Sequence, residues 1–133
     1  MLIADASILV VALADDGPDG DQARARLRGE RLALPELADL EVASVLRRQI
    51  RLGALDARRA GLALGDLAAL PARRVSHRPL LARCWELREN LTVCDAAYVA
   101  LAEVLDATLL TGDARLGRAP GSRCVIEIFP QAP

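Results

Sequence analysis

The sequence predicts an α/β protein with a central, mostly parallel sheet of about five strands, covered by helices on both faces. Short apolar segments of strand length alternate with longer segments of helical periodicity, an order typical of parallel sheets. Hydrophobic residues make up 53% of the 133 residues but aromatic residues only 2%, so leucine, alanine and valine must build the core. This length fits one domain, and we assign residues 1–133 to it.

The first quarter of the chain predicts a strand, two helices and a loop. Residues 2–5 predict a short buried strand, which leads directly into an apolar helix over residues 7–14. Residues 15–20 combine aspartates, glycines and a proline, a composition typical of a loop. Asp21 is then placed to cap a short helix that ends near Arg28.

The middle of the chain predicts two longer helices between two strands. Residues 31–34 form the second strand candidate. In residues 36–52 apolar positions recur on one face, arginines fill the last turns and a glycine follows, as expected of a helix. Asp56 caps the next helix, which runs to about Leu70, and residues 73–76 predict the third strand.

The last part of the chain completes the alternation. Residues 79–91 predict a helix with Trp85 as its one large anchor, and residues 92–105 predict another helix. Residues 107–111 and 125–129 predict the last two strands.

Four acidic residues stand where a folded domain ordinarily places apolar side chains. They are Asp5, Glu41, Asp95 and Asp113. Asp5 and Asp113 follow predicted strands, and ligands bind at the carboxyl edge of a parallel sheet in α/β proteins. Burying one unpaired carboxylate is costly and converging carboxylates repel, so a cation is needed to hold them together.

The residue types predict which cation this is. Carboxylate oxygens suit Mg²⁺ or Mn²⁺, whereas the single histidine and the absence of a Cys-x-x-Cys pair argue against zinc. A carboxylate-bound Mg²⁺ can activate a water molecule and neutralise charge on a scissile phosphate, which points to phosphodiester hydrolysis. We also expect mutual repulsion to raise the pKa of one or more of the carboxylates.

Each carboxylate also has a purely structural explanation when it is taken alone. The alternatives are a helix cap at Asp5, a capping box from Thr92 to Asp95, an ion pair of Glu41 with Arg48, and a turn at Asp113. Four such explanations in this order are less economical than one shared site.

Charge and composition exclude several other classes of protein. All 17 basic residues are arginine and the net charge is −1, so the chain lacks the lysine of a P-loop, a Schiff-base enzyme or a phospho-acceptor receiver. Arg115 and Arg118, just beyond Asp113, are the candidates to contact a substrate phosphate. The cysteines are odd in number, no secretory signal precedes them and no uncharged run reaches membrane-spanning length, which predicts reduced thiols and a soluble cytoplasmic protein without membrane contact.

Four segments resemble, in order, the acidic motifs of the PIN-domain ribonucleases. They are Leu2-Ile3-Ala4-Asp5-Ala6-Ser7, Leu34-Pro35-Glu36-Leu37 with Leu40-Glu41-Val42, Asn90 to Ala102, and Leu109-Leu110-Thr111-Gly112-Asp113-Ala114-Arg115-Leu116. The likeness spans residues 2 to about 129 and is most specific to the VapC-type toxins of bacterial type II toxin–antitoxin systems.

This resemblance implies a PIN-like three-layer α/β/α sandwich and an Mg²⁺- or Mn²⁺-dependent endoribonuclease that acts as a toxin. It implies an RNA substrate, a cognate antitoxin protein and a homodimer. The implied metal-binding and catalytic residues are Asp5, Glu41, Asp95 and Asp113, with Ser7 and Thr111 as polar supports. Two alternatives remain: a catalytically idle PIN-fold module that binds RNA or protein, and a receiver-like domain.

The helices over residues 36–52 and 56–70 are the predicted antitoxin groove. Leu52, Leu55, Leu62 and Leu67 lie near the hinge between them or along the second helix, and they cannot all face the sheet. An amphipathic antitoxin helix would cover the rest. The large apolar fraction of a short chain also predicts apolar surface for a dimer.

Overall fold

The computed structural model describes residues 1–130, in which five short strands form one parallel sheet. The strands are β1 (Leu2–Ala4), β2 (Leu32–Pro35), β3 (Arg73–Val75), β4 (Thr108–Thr111) and β5 (Ile126–Ile128). Their order across the sheet is β3-β2-β1-β4-β5, and every neighbouring pair is parallel. The predicted fold class is therefore confirmed, and β1 lies at the centre of the sheet.

Within the described residues seven α-helices pack around this sheet, six of them in two groups. They are α1 (Ala6–Ala14), α2 (Pro18–Leu27), α3 (Leu37–Arg51), α4 (Ala57–Ala69), α5 (Leu81–Glu86), α6 (Val93–Val104) and α7 (Ala114–Arg118). Helix α6 packs across β1, β2 and β4 and carries α5 on its other side, whereas α1 packs with α2, α3 and α4. The result is the expected three-layer α/β/α arrangement. Within residues 1–130, no helix is both long enough and apolar enough to cross a bilayer.

The core is made of small and branched side chains, as the composition predicts. All seven residues from Ala96 to Ala102 are buried. Four of them are alanines, whose small side chains let α6 lie close to the sheet. Tyr98 is the one aromatic side chain in this buried set, with 2% of its surface exposed. Trp85 was predicted to anchor its helix, and this prediction is wrong, because 63% of the residue is exposed on α5.

The start of the second helix also differs from the prediction. Helix α2 begins at Pro18 after the N-cap Gly17, not at Asp21, so half of the predicted loop is helical. Proline is pre-organised for the first position of a helix, and the aspartates of the first turn favour its positive end. Gly20 is required there, because a Cβ atom would lie 1.8 Å from the backbone oxygen of Asp15.

The fifth predicted helix is shorter than expected, and an additional helix follows β4. The predicted helix over residues 79–91 consists of a 3-10 turn at Arg78–Leu80 followed by α5, which ends at Glu86. Helix α7 was not predicted, because its five residues are too few to show periodicity. It begins directly after Asp113, which caps it.

Candidate functional site

The carboxyl edge of the sheet brings together residues from distant parts of the sequence. Because β1 and β4 are parallel neighbours, Asp5 and Thr111 emerge at the same edge, and the backbone N–H of Asp5 donates to the carbonyl of Leu110. Helices α3 and α6 contribute Glu41 and Asp95 near this point. The sheet topology, not the local sequence, creates this neighbourhood.

Asp5 is the most enclosed member of the group, with 8% of the residue exposed. Its Oδ1 accepts hydrogen bonds from the hydroxyl of Ser7 at 2.5 Å and from the backbone N–H of Ile8 at 3.2 Å. Its Oδ2 accepts a hydrogen bond from the hydroxyl of the fully buried Thr111. Asp5 therefore caps α1, as the structural alternative held, and its carboxylate also faces the neighbouring acidic groups.

Ser7 and Thr111 connect this carboxylate to the loop after β4. The backbone N–H of Gly112 donates to Ser7 Oγ at 3.0 Å, and the backbone N–H of Asp113 donates to Thr111 Oγ1 at 3.0 Å. Both hydroxyls thus accept from the loop while they donate to Asp5. Their orientation is fixed by these paired contacts.

Burial raises the pKa of Asp5, and the hydrogen bonds from Ser7, Thr111 and Ile8 lower it in part. Repulsion from Asp95 raises it further, but as the smallest contribution. The predicted increase is confirmed in direction, and the predicted repulsion contributes to it, but repulsion is not the main cause. Loss of hydration dominates over repulsion between the carboxylates.

Glu41 lies half-buried on α3 and accepts a hydrogen bond from the hydroxyl of Tyr98 to its Oε1 at 2.6 Å. Burial raises the pKa of Glu41, the hydrogen bond from Tyr98 lowers it, and repulsion from Asp95 and Asp5 raises it. The alternative of an ion pair between Glu41 and Arg48 is not found among the described residues.

Tyr98 was not predicted to belong to this site. The available signal was its place in the sequence: it is the only tyrosine of the chain and lies three residues after Asp95, almost one helical turn further along α6. Its partner Glu41 is 57 residues away in the chain, so only the folded structure shows the pairing.

Asp95 lies in the first turn of α6, where its backbone N–H donates to Thr92 Oγ1 at 3.1 Å. This is one half of the capping box that the sequence suggested. Within residues 1–130 its carboxylate accepts no hydrogen bond and forms no ion pair, and it acts on both Asp5 and Glu41 through repulsion. Asp95 is therefore the carboxylate of this group that is free to accept a new partner.

Asp113 has a different environment from the other three carboxylates. It caps α7 through the backbone N–H of Arg115 and binds the Arg115 guanidinium with both oxygens, at 3.1 and 3.0 Å. This hydrogen bonding with Arg115 lowers the pKa of Asp113, and Arg118 adds a smaller effect. Asp113 lies at the expected edge but is paired with a cation of its own chain.

The donor chemistry fits a hard divalent cation. Asp5, Glu41 and Asp95 supply only carboxylate oxygens and repel one another. Oδ2 of Asp5 accepts one hydrogen bond and keeps a lone-pair site, whereas Oδ1 already accepts two hydrogen bonds. In the part of the chain that the structure describes, no three Asp, Glu, His or Cys side chains lie close enough to form a ready-made metal cluster. An ion would have to draw these carboxylates closer together.

A cavity of about 480 Å³ lies beside Ser7 and the loop after β4. Ser7, Gly112 and Asp113 form its wall on the acidic side, and Phe129 and Pro130 form another part of its lining. The cavity shares Ser7 with the hydrogen-bonded network around Asp5, but Asp5, Glu41 and Asp95 are not among its lining residues.

The fold and this acidic edge define a known class of protein, which comparison with other sequences identifies. The model of the PIN domain family matches residues 2–122. The chain belongs to the PIN domain family.

Two curated relatives define its place in that family more closely. The chain is 43% identical to ribonuclease VapC9 of Mycobacterium tuberculosis over an alignment of 134 residues, gaps included. The alignment covers 98% of this chain and all of the relative. It is 41% identical to ribonuclease VapC1 of the same organism over 127 residues, which cover 95% of this chain and 96% of the relative. Both relatives are VapC ribonucleases, and the match covers at least 96% of each.

A solved structure agrees with the fold. The crystal structure of VapBC2 from Rickettsia felis bound to a DNA fragment from their promoter contains a chain that superposes with a TM-score of 0.67 at 14% identity. The match covers 96% of this chain and 97% of the other. At this identity the likeness concerns the fold alone.

Proposed function

We propose that this protein is an endoribonuclease that acts as the toxin of a toxin–antitoxin pair and depends on Mg²⁺ or Mn²⁺. The observation that carries the proposal is that Asp5, Glu41 and Asp95 lie within electrostatic range of one another near the carboxyl edge of the sheet, in a chain of the PIN domain family. The similarity to VapC ribonucleases, which extends over nearly the full length of the chain, supports RNA as the substrate.

The proposed site assigns each residue a role. Asp5, Glu41 and Asp95 hold the cation, and Ser7 and Thr111 keep the Asp5 carboxylate in position. When it is bound, a divalent cation lowers the pKa of a water molecule and neutralises charge on the scissile phosphate. Asp113 joins the site only when its ion pair with Arg115 opens.

Arg115 and Arg118 are the proposed contacts for the RNA backbone. The side chain of Arg115 is 84% exposed, so its ion pair with Asp113 is weak and a phosphate can replace the carboxylate. Asp95 also raises the pKa of Arg115, after the larger effects of Asp113, so the guanidinium lies within the electrostatic range of the acidic site. This exchange would free Asp113 as RNA binds.

Metal removal is expected to abolish RNA cleavage reversibly. Protein treated with EDTA and then dialysed should not cleave a single-stranded RNA, and Mn²⁺ or Mg²⁺ should restore cleavage, whereas Zn²⁺ should not, because the site offers only carboxylate oxygens. Gel analysis of an end-labelled RNA measures this. Cleavage that persists in EDTA would contradict the metal-dependent mechanism.

An idle PIN-fold binding module is the remaining alternative, favoured by the pairing of Asp113 with Arg115. The same assay separates the two functions, because an idle module would bind the RNA and leave it intact with every metal. The receiver-like alternative is set aside, because the chain belongs to the PIN domain family.

The proposed antitoxin site is the groove between α3 and α4. It is lined by Ala43, Leu46, Arg47, Ile50, Ala57, Ala60, Gly61 and Leu64. Leu52 and Leu62 are 75% and 52% exposed at its hinge and along α4, whereas Leu67 is a member of the predicted set that packs into the core. An amphipathic helix of the antitoxin would cover the exposed apolar groups.

The proposed dimer surface is the outer face of α5 with the start of α6. Leu81, Ala82, Trp85 and Val93 surround an apolar hollow there, and Trp85 and Leu81 are more than half exposed. Val93 precedes Asp95 by two residues, so a dimer formed through this patch would bring the acidic sites of both protomers close to the dimer interface.

Val93→Glu is expected to convert the dimer to a monomer. Glutamate suits the first turn of α6, so the fold should tolerate it, but an unpaired charge at an apolar interface costs several kcal/mol. Val104→Glu is the matched control, because Val104 is an exposed valine at the other end of the same helix. Light scattering at micromolar concentration measures both, and equal masses for both variants would place the interface elsewhere.

A further inference from the structure

The hydroxyl of Tyr98 connects the two helix groups directly at the acidic edge. Tyr98 belongs to α6, and the Glu41 that it contacts belongs to α3, which packs in the other group. A buried tyrosine hydroxyl needs a hydrogen-bond partner, and most commonly a carbonyl or water fills this role. Here the partner is a carboxylate that also experiences the charges of Asp5 and Asp95.

Glu41 would not be expected to remain in this position without such a contact. Its side chain has several rotatable bonds, it is only half-buried, and two neighbouring carboxylates repel it, so solvent is the more favourable direction. The 2.6 Å hydrogen bond from Tyr98 opposes this movement. In this contact the phenol hydroxyl is the donor and the carboxylate is the acceptor.

We infer that Tyr98 is a positioning residue of the metal site, which holds Glu41 Oε1 so that Oε2 is available to the cation. This inference rests on the proposed function, because it concerns the same carboxylates. Within the described residues Oε2 accepts no hydrogen bond, so the contact from Tyr98 occupies one oxygen and leaves the other for metal. Tyr98 has no direct contact with the cation in this arrangement.

The competing explanation is that Tyr98 only fills the core. The two explanations differ in what removal of the hydroxyl changes. A packing role predicts unchanged metal affinity for Tyr98→Phe, because phenylalanine keeps the ring that fills the core. A positioning role predicts weaker metal affinity even where stability is nearly unchanged, because Glu41 becomes free to turn outward.

The test is Mn²⁺ binding to the purified, RNA-free protein, measured by calorimetry on wild type, Tyr98→Phe, Glu41→Gln and the double variant. Loss of an outer contact to a metal ligand typically weakens metal affinity about 10- to 100-fold, and we expect a loss in this range for Tyr98→Phe. If Tyr98 acts through Glu41, the double variant should bind Mn²⁺ as Glu41→Gln does, since the two effects are not additive.

Each outcome of this cycle decides the inference. Equal Mn²⁺ affinities of wild type and Tyr98→Phe would overturn the inference alone and leave the proposed function in place. A double variant that binds Mn²⁺ more weakly than Glu41→Gln would show that Tyr98→Phe acts other than through Glu41. This result would also overturn the inference. Wild type that does not bind Mn²⁺ at all would overturn the inference and the proposed metal site together.

Discussion

Replacement of Asp5 or Asp95 by asparagine is expected to abolish RNA cleavage while the protein stays folded. Each substitution removes one negative charge from a site that must hold a divalent cation, and a bound cation contributes several kcal/mol of charge stabilisation in the transition state. A loss of at least about 100-fold in kcat/KM follows from such a figure, since about 1.4 kcal/mol corresponds to a factor of ten. Cleavage of end-labelled RNA with Mn²⁺ measures the loss.

The fold should tolerate Asp5→Asn because asparagine keeps the local hydrogen bonds. Its amide oxygen can accept from Ser7 and from the backbone N–H of Ile8, so the cap of α1 is retained. Its amide nitrogen can donate to Thr111 Oγ1 in place of the bond that Thr111 now donates. Asp5→Ala is the matched variant that removes both the charge and the cap.

The pH dependence of stability gives a second measurement of the same effect. The pKa values of Asp5 and Glu41 are raised above their ordinary values of 3.8 and 4.5, so the folded state holds these protons more tightly than the unfolded state. Their contribution to stability is therefore fully present below about pH 3.8 and is lost as the pH rises through the raised pKa values. Asparagine does not titrate, so Asp5→Asn removes the loss of stability that the Asp5 carboxylate causes as the pH rises. At pH 7 the metal-free variant should therefore melt at or above the temperature of wild type.

Thermal melts with Mn²⁺ complete the test. At about 100 times its Kd, a ligand that binds only the folded state adds about 2.7 kcal/mol of stability, and wild type should show this increase whereas Asp5→Asn should not. An Asp5→Asn protein that still cleaves RNA at the rate of wild type would mean that Asp5 is only the cap of α1. A large fall in melting temperature without metal would lead to the same conclusion.

The residues that the sequence predicted best are those whose position depends on strand order. Asp5 and Asp113 were placed at one edge of the sheet because strands that alternate with helices run parallel, and β1 and β4 are indeed parallel neighbours. The motifs added Glu41 and Asp95. Their orientation was not predictable, because it depends on which donor each carboxylate meets in the folded chain.

Asp113 and Tyr98 both illustrate this limit: Asp113 was assigned to the site and has another partner, whereas Tyr98 was not assigned to it and contacts Glu41. Asp113 was grouped with the acidic site, but Arg115, only two residues away, binds its carboxylate in the short helix α7. Tyr98 was assigned no role, because its contact with Glu41 requires α3 and α6 to meet across the sheet edge. Trp85 was misplaced for the same reason, since the face of α5 that packs against α6 cannot be determined from a segment of six helical residues.

The groove between α3 and α4 supports a second prediction with a large effect, which concerns the antitoxin. Gly61→Arg should prevent antitoxin binding without loss of the fold. A Cβ atom at Gly61 meets no other atom within 4 Å, and arginine favours a helix interior more than glycine does. In the free protein the new side chain points into an open groove.

The same side chain would be costly once an apolar helix covers the groove. The guanidinium would be buried beside Arg47, which also lines the groove, with no acidic residue among the lining groups. An unpaired buried charge costs several kcal/mol, so affinity should fall by about 100-fold or more. Co-purification of the tagged toxin variant with its antitoxin, followed by calorimetry, measures this loss.

Gly65→Arg is the matched control for this experiment. Gly65 lies in the same helix, one turn after Gly61, is also exposed, and also has no atom within 4 Å of a built Cβ, but it does not line the groove. The two variants therefore add the same charge and the same helix propensity to α4. Antitoxin binding should be lost in Gly61→Arg and retained in Gly65→Arg, with RNA cleavage intact in both, because the acidic site is unchanged. Equal binding by both variants would place the antitoxin on another surface and leave the proposed nuclease site unaffected.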